Sequence, residues 1–251
     1  MVAPPENAPP DNDVLWARSL HYAHDGAPAL VDVSLGVRQG EILALTGSRG
    51  SGKTTLLRCL SGQLRPTEGE VWFNSVPVHT MGDLSRERLR RDRFGWIGPE
   101  PQLLPELKAW ENAALPLLLA GASHRTAKHA ACEWLDRLDI GSFARKRPAA
   151  LTRAECQRVA LARALVTVPS VIYADEPTAP LHRADRALLL RTLTTAARSH
   201  EITVLLATDD EDTAAVADRR LTLVDGRLAG TGSVSPLPDT PEGQAACSLS
   251  A

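Results

Sequence analysis

The segment Gly47-Ser48-Arg49-Gly50-Ser51-Gly52-Lys53-Thr54 fits the spacing G-x-x-x-x-G-K-[ST]. Residues of these types at this spacing can hold phosphate. The glycines let backbone N–H groups converge on phosphate oxygens, Lys53 can reach β- and γ-phosphates, and the Thr54 hydroxyl can ligate Mg²⁺. A helix that follows the loop adds the positive end of its dipole. Farther along, Val171-Ile172-Tyr173-Ala174 is an apolar run that ends in Asp175-Glu176. An Asp at the carboxyl edge of a strand suits Mg²⁺, and Glu176 beside a γ-phosphate can orient or deprotonate water. Taken alone, the two acids read as well as the cap of a helix start, since Pro177 follows; the upstream loop favours the phosphate site.

These residues need strands and helices to position them. Glu41 to Thr46 reads as a buried strand running into the glycine-rich loop, and Thr54 to Leu60 as a helix with Leu56, Leu57 and Leu60 on one side. Short strands are expected at Val31–Leu35 and Val71–Phe73. Ala109 to Leu138 is mostly helix-forming, with interruptions expected around Pro116 and Gly121, and a further helix covers Arg153 to Leu165. Val171–Ala174 and Ile202–Ala207 read as interior parallel strands on either side of a helix from Ala184 to Ser199. Asp225-Gly226 is a hairpin turn between Leu221–Val224 and Arg227-Leu228. This order predicts a largely parallel α/β core. Residues 13–231 form the folded unit. Residues 1–12 and 232–251, rich in Pro, Ser, Gly and Ala, read as disordered tails.

The chain has 251 residues, 43% of them hydrophobic, and a formal net charge of -2. Charge gives no support to a nucleic-acid partner. Cys59, Cys132, Cys156 and Cys247 are scattered, with no CxxC pair, so neither a zinc site nor a disulfide framework is indicated and a reduced cytosolic setting follows. No apolar run reaches the roughly 20 residues needed to span a bilayer. Any membrane role must therefore be peripheral.

The phosphate loop from Gly47 to Thr55, the run Asp175-Glu176-Pro177-Thr178 and the run Gln157 to Leu165 together resemble an ABC transporter ATPase, over about Val14 to Gly230. Leu103-Leu104-Pro105, Glu111-Asn112 and Leu115 to Leu119 are similar to the lipoprotein-releasing, macrolide-export and cell-division branch. The resemblance implies an α/β P-loop NTPase core of RecA-like type, with an antiparallel β subdomain and a helical subdomain at about 100–165. It implies ATP and Mg²⁺ as ligands, with Gly47 to Thr55 on the nucleotide, Thr54 and Asp175 on Mg²⁺, and Glu176 as general base. Tyr22 matches the family's adenine-stacking aromatic, although a half-buried strand tyrosine would look the same.

Four family positions depart from the pattern. Pro99 stands where a glutamine is expected, with Gln102 three residues off register. The signature reads Leu151-Thr152-Arg153-Ala154-Glu155 where the family has two glycines, which allow close backbone approach to the γ-phosphate of the opposing subunit. Thr152 can still cap the helix, Arg153 adds bulk but carries a charge that can meet a phosphate, and Ala154 is a milder change. Ala179-Pro180-Leu181-His182 lacks the family's Asp. Asp209 replaces a histidine, and its carboxylate would repel a phosphate by up to ~4 kcal/mol at about 4 Å, for a dielectric near 20. Any one departure reads as drift; together they predict retained nucleotide binding and weakened turnover.

The resemblance therefore implies an ATP-binding subunit that pairs head-to-tail with an identical or different ABC ATPase subunit. It would dock on a membrane permease through Pro99 to Asn112, at the inner face of the cell membrane, with ATPase activity slow or partner-dependent. A non-hydrolysing ATP-dependent switch or scaffold is the alternative. A small-molecule kinase would not need the 151–165 motif, translation-factor relatives usually carry two such domains, and DNA-repair relatives need a long coiled-coil insertion.

Overall fold

Two sheets organise residues 13–229, the part of the chain that the computed structural model describes. The expected tails 1–12 and 232–251, the last residues of the folded unit and Cys247 lie outside it. Strands β1 (Asp13–His24), β2 (Ala27–Arg38), β4 (Glu68–Phe73) and β5 (Val76–Pro77) form an antiparallel sheet in the order β2-β1-β4-β5. The second sheet contains β3 (Ile42–Thr46), β6 (Phe94–Ile97), β7 (Val171–Asp175), β8 (Thr203–Thr208), β9 (Arg219–Val224) and β10 (Arg227–Ala229). Its order is β10-β9-β3-β8-β7-β6, parallel throughout except for the terminal β9–β10 hairpin. The expected parallel core is present.

The central strands β3, β7 and β8 are buried along their whole length, so both of their faces need apolar cover. Alternate residues supply it. Leu43, Leu45, Tyr173 and Leu205 face the core shared with α1 (Lys53–Leu60) and the antiparallel sheet. Ile42, Ile172, Ala174, Val204 and Leu206 face the core built by the helices α3 (Ala109–Leu119), α4 (His124–Arg137), α5 (Arg153–Leu165) and α6 (Arg183–Ser199). Helices α2 (Asp83–Arg93) and α7 (Glu211–Ala214) complete the set. Helices α3, α4 and α5 pack on one another, within the span expected for a helical subdomain.

One expectation is corrected. Pro116 does not interrupt the helix: α3 runs through it to Leu119. The break comes at Gly121, whose φ of +87° lets its N–H and that of Ala122 bond back to Leu118 and Leu117. Pro116 removes one helical N–H, whereas Gly121 reverses the chain.

Strand β1, a short β6 and α2 carry no clear signal in the sequence. In β1 a register shift between Ala17 and Leu20, with Ser19 at φ +47°, breaks the period of two. Strand β6 has only four residues, and one is Gly95, whose Cβ would lie 2.7 Å from the Ala164 carbonyl oxygen. Helix α2 buries no residue, so it has no apolar stripe to detect.

Candidate functional site

Strand β3 delivers the chain into the loop Gly47–Gly52 at the carboxyl edge of the parallel sheet, where open α/β sheets bind ligands. Backbone geometry requires glycine there. Gly47 (φ +144°) and Gly52 (φ +105°) would each push a Cβ against a carbonyl oxygen, that of Leu223 at 2.3 Å and that of Ala29 at 2.5 Å. The β9–β10 hairpin braces the same loop, because the Gly226 N–H donates to the Ser51 carbonyl at 3.0 Å. The Gly226 carbonyl in turn accepts from Val31 N–H at 2.9 Å. A turn legible in the sequence thus serves to clamp the loop to the antiparallel sheet.

Lys53 is buried, and its Nζ donates to the carbonyls of Gly47 at 2.7 Å and Ser48 at 3.2 Å. The same Nζ lies 3.6 Å from Glu176 Oε1. The Thr54 hydroxyl donates to Asp175 Oδ1 at 3.0 Å. The loop and the two acids, far apart in the sequence, therefore meet. Two hard oxygen donors side by side suit Mg²⁺, with phosphate and water to complete its shell. The buried Ser51 hydroxyl has no partner among the described residues, which fits an oxyanion acceptor in the loop. Ser48, Arg49 and Gly50 are exposed at the loop's rim.

Burial raises the pKa of Asp175 above the usual carboxylate range, against the opposing pull of the Thr54 hydrogen bond and the charges of Arg58 and Lys53. Glu176 is raised too, by burial first and then by the negative charge of Asp209, which together outweigh Lys53. Glu176 takes φ +46° at the end of β7, while its N–H donates to the Ala207 carbonyl at 2.9 Å.

Tyr22 lies on β1 with its ring edge-on to His24, the centroids 4.8 Å apart. His24 Nε2 is 3.2 Å from the hydroxyl of Thr55, the residue after Thr54. His24 escaped sequence reasoning, although its i, i+2 spacing from Tyr22 is the strand signal that could have found it. Gln157, buried on α5, donates to the carbonyls of Gly98 at 2.7 Å and Pro177 at 2.9 Å and so ties β6 and the acid motif to α5.

The structure brings some of the departing positions together and leaves Thr152, Ala154, His182 and Asp209 elsewhere. Pro99, Arg153, Ala179 and Pro180 line one cleft of about 520 Å³ together with Thr54 and Asp175. Arg58, one turn after Thr54, lines it as well; the i, i+4 spacing was its signal. Thr152 caps α5, accepting from Glu155 N–H at 3.2 Å while Glu155 Oε2 accepts from Thr152 N–H at 2.6 Å. Ala154 packs against the helical core. His182 precedes α6, exposed and making no side-chain cap bond, and lines no part of that cleft. Asp209, exposed just after β8, acts on Glu176 through its negative charge.

The ABC transporter family model matches residues 30–179. The chain is 40% identical over 199 residues to the uncharacterized ABC transporter ATP-binding protein YbbA of Escherichia coli, covering 79% of this chain and 87% of that one. It is 36% identical over 232 residues to the lipoprotein-releasing system ATP-binding protein LolD of Bordetella pertussis, covering 91% and 99%. Two dimeric structures of the ABC transporter cassette MJ0796 superpose with TM-scores of 0.84 and 0.83 at 28% and 29% identity, each covering 89% of this chain and all of that one. The second is a post-hydrolysis state bound to ADP and Pi.

Proposed function

The chain belongs to the ABC transporter family as an ATP-binding protein, and from that premise we propose that it binds Mg-ATP, closes as a head-to-tail dimer and drives a membrane permease with weakened hydrolysis. The observation that carries the reading is the 3.0 Å contact between the Thr54 hydroxyl and Asp175, which joins the phosphate loop to the acid motif.

In this reading Gly47 to Thr55 cradle the phosphates, and Lys53 turns its ammonium from the loop carbonyls onto the β- and γ-phosphates. Thr54 and Asp175 hold Mg²⁺, which when bound neutralises charge on the phosphate oxygens. Glu176 orients and deprotonates the attacking water, and Tyr22 carries the base. Closure presents Thr152 and Arg153 to a second subunit, identical or not. The dimeric state of the MJ0796 cassette supports the pairing. The LolD relative is the ATP-binding protein of a lipoprotein-releasing system, which supports docking to a permease. Among the described residues no helix is long and apolar enough to cross a membrane, so attachment to the membrane would run through that partner.

Asp209 in place of a histidine, together with Pro99, Arg153 and Ala179, supports slow turnover. The same departures favour a second reading, a switch that binds ATP and hardly hydrolyses it, in which occupancy alone holds the closed dimer. Steady-state ATP turnover of the purified chain, with Glu176→Gln and Lys53→Ala alongside and binding measured in the same samples, tests both. Turnover lost in Glu176→Gln while ATP still binds is expected of the transporter ATPase. Tight binding without turnover, alone and with a permease, would support the switch. Binding indifferent to Lys53→Ala would sink both.

A further inference from the structure

A groove of about 480 Å³ runs between the last turn of α4 and the part of α6 that begins at Leu188. Its floor is apolar, with Trp134, Leu188 and Ala196, and its exposed rim carries Arg137, Arg191 and His200. The Arg137 guanidinium carbon lies 4.7 Å from the centre of the Trp134 ring, and the His200 ring lies 5.9 Å from it. Among the described residues no acidic side chain lines the groove. The ion pairs of α4 and α6 use His129 with Glu133, Asp185, Arg186 and Arg198 instead. Arg137 is already engaged by an aromatic face, which leaves Arg191 as the guanidinium with nothing to meet.

The groove continues past α6. His200 also lines a smaller cleft of about 200 Å³ at the amino edge of the parallel sheet, and Val14, the second residue of β1, lines that cleft too. The chain that precedes β1 therefore starts one cavity away from the groove. Val168, 47% exposed, gives the smaller cleft an apolar wall. Residues 1–12 bring what these surfaces lack: Pro4, Pro5, Pro9 and Pro10, and two acids, Glu6 and Asp11, with no Lys or Arg. At ~3.1 Å per residue in extended proline geometry, they reach up to about 37 Å. Prolines have little freedom to lose and suit aromatic-lined grooves. A segment too polar to fold alone can order on a surface, and its covalent link gives it an effective concentration on the order of millimolar. Glu201 is an acid on the smaller cleft, close to where Asp11 must pass, which leaves Glu6 to make the charged contact.

We propose that residues 1–12 run back along the amino edge of the sheet and lie in the α4–α6 groove, the prolines over Trp134 and Leu188 and Glu6 paired with Arg191. The segment then straps α4, in the helical part of the chain, to α6. It does so away from the carboxyl edge that carries the phosphate loop, so the inference is independent of the Mg-ATP reading.

The test is amide hydrogen exchange, read by mass spectrometry on the full chain over Lys128–Arg137 and Leu188–His200. Sedimentation fixes the concentrations at which the chain is monomeric. Glu6→Arg is expected to speed exchange in both segments roughly two- to fivefold, the size of an exposed ion pair. Arg191→Glu should do the same, and the two changes together should recover part of the protection, because the swapped charges pair again. A helix merely loosened by the Arg191 change would not be rescued from residue 6. The proposal is overturned if Glu6→Arg leaves both segments unchanged, or if the double variant exchanges as fast as Arg191→Glu alone. It is overturned equally if the response follows Asp239→Arg with Glu242→Arg, which would seat the carboxyl-terminal residues in the groove. Protection that appears only where copies associate would make a second chain the donor and overturn the strap as well.

Discussion

Lys53 Nζ lies 3.6 Å from Glu176 Oε1, an ion pair that joins the phosphate loop to the second acid of the site. Both side chains of the pair are largely buried, and Glu176 also feels Asp209, so its charged form is disfavoured despite the lysine. In the proposed reading such a site awaits a cation and phosphate rather than serving its own stability.

That balance gives a pH dependence. The pKa values of Asp175 and Glu176 in the folded chain lie above their ordinary 3.8 and 4.5. A carboxyl raised by folding contributes stability that is fully present below its unfolded pKa and is lost as pH rises through its folded pKa. In nucleotide-free, EDTA-treated protein, Glu176→Gln should therefore raise Tm relative to the unaltered chain. The gain should grow as pH climbs above 4.5, the ordinary glutamate value. A gain that shrinks with rising pH would show that Lys53 dominates instead. Carboxylates held low, such as Asp218 with Arg198, change in the opposite direction, which is why the comparison is made between variants.

Gly226 lies far from the loop in sequence, yet it braces Ser51. At φ +74° its Cβ would stand 2.7 Å from the Ala29 carbonyl oxygen, whereas Gly40, at φ +72°, has nothing within 4 Å. Both alanine substitutions carry backbone strain, but only Gly226→Ala adds a clash. Urea unfolding should show Gly226→Ala costing about 1–3 kcal/mol more than Gly40→Ala, with weaker ATP binding in that variant alone. Equal costs would remove the clamp from the account.

Tyr22 faces the site through His24 and Thr55. If it carries the base, Tyr22→Phe should bind nucleotide nearly as the unaltered chain does. Tyr22→Ala should lose roughly 1–3 kcal/mol, equally for ATP and ADP, because stacking does not sense the phosphates. Fluorescence titration checks this, and a loss confined to ATP would argue against a base platform.

In the proposed reading Asp209 places a negative charge where the family resemblance implies a histidine. Asp209→His should speed ATP turnover roughly tenfold or more, since it removes a repulsion and adds a donor near the γ-phosphate. Its Glu176→Gln double variant should be dead. An Asp209→His variant with unchanged kcat would mean that Asp209 turns away when nucleotide binds.

The phosphate loop, the acid pair, α5 and the β9–β10 hairpin were legible because each carries a local signal: glycine spacing, an apolar run ending in acid, a capping threonine, an Asp-Gly turn. Strand β1 was not, because its bulge breaks the alternation on which strand reading depends. Helix α2 was not, because a helix with no buried face leaves no periodic trace. Pro116 was over-read, since a proline's lost N–H is tolerated within a helix that Gly121 then ends.

The sequence by itself determined the chemistry on offer: a lysine and a hydroxyl after a glycine loop, and two acids after a strand. Only the tertiary structure decided which of these meet. The parallel order β3-β8-β7 brings Thr54 to Asp175 and Lys53 to Glu176. The packing of α5 against β6 puts Arg153 and Pro99 on the same cleft as Thr54 and Asp175. The physical reason is that spacing fixes only neighbours along the chain, whereas contact between residues 121 positions apart is set by strand order and burial.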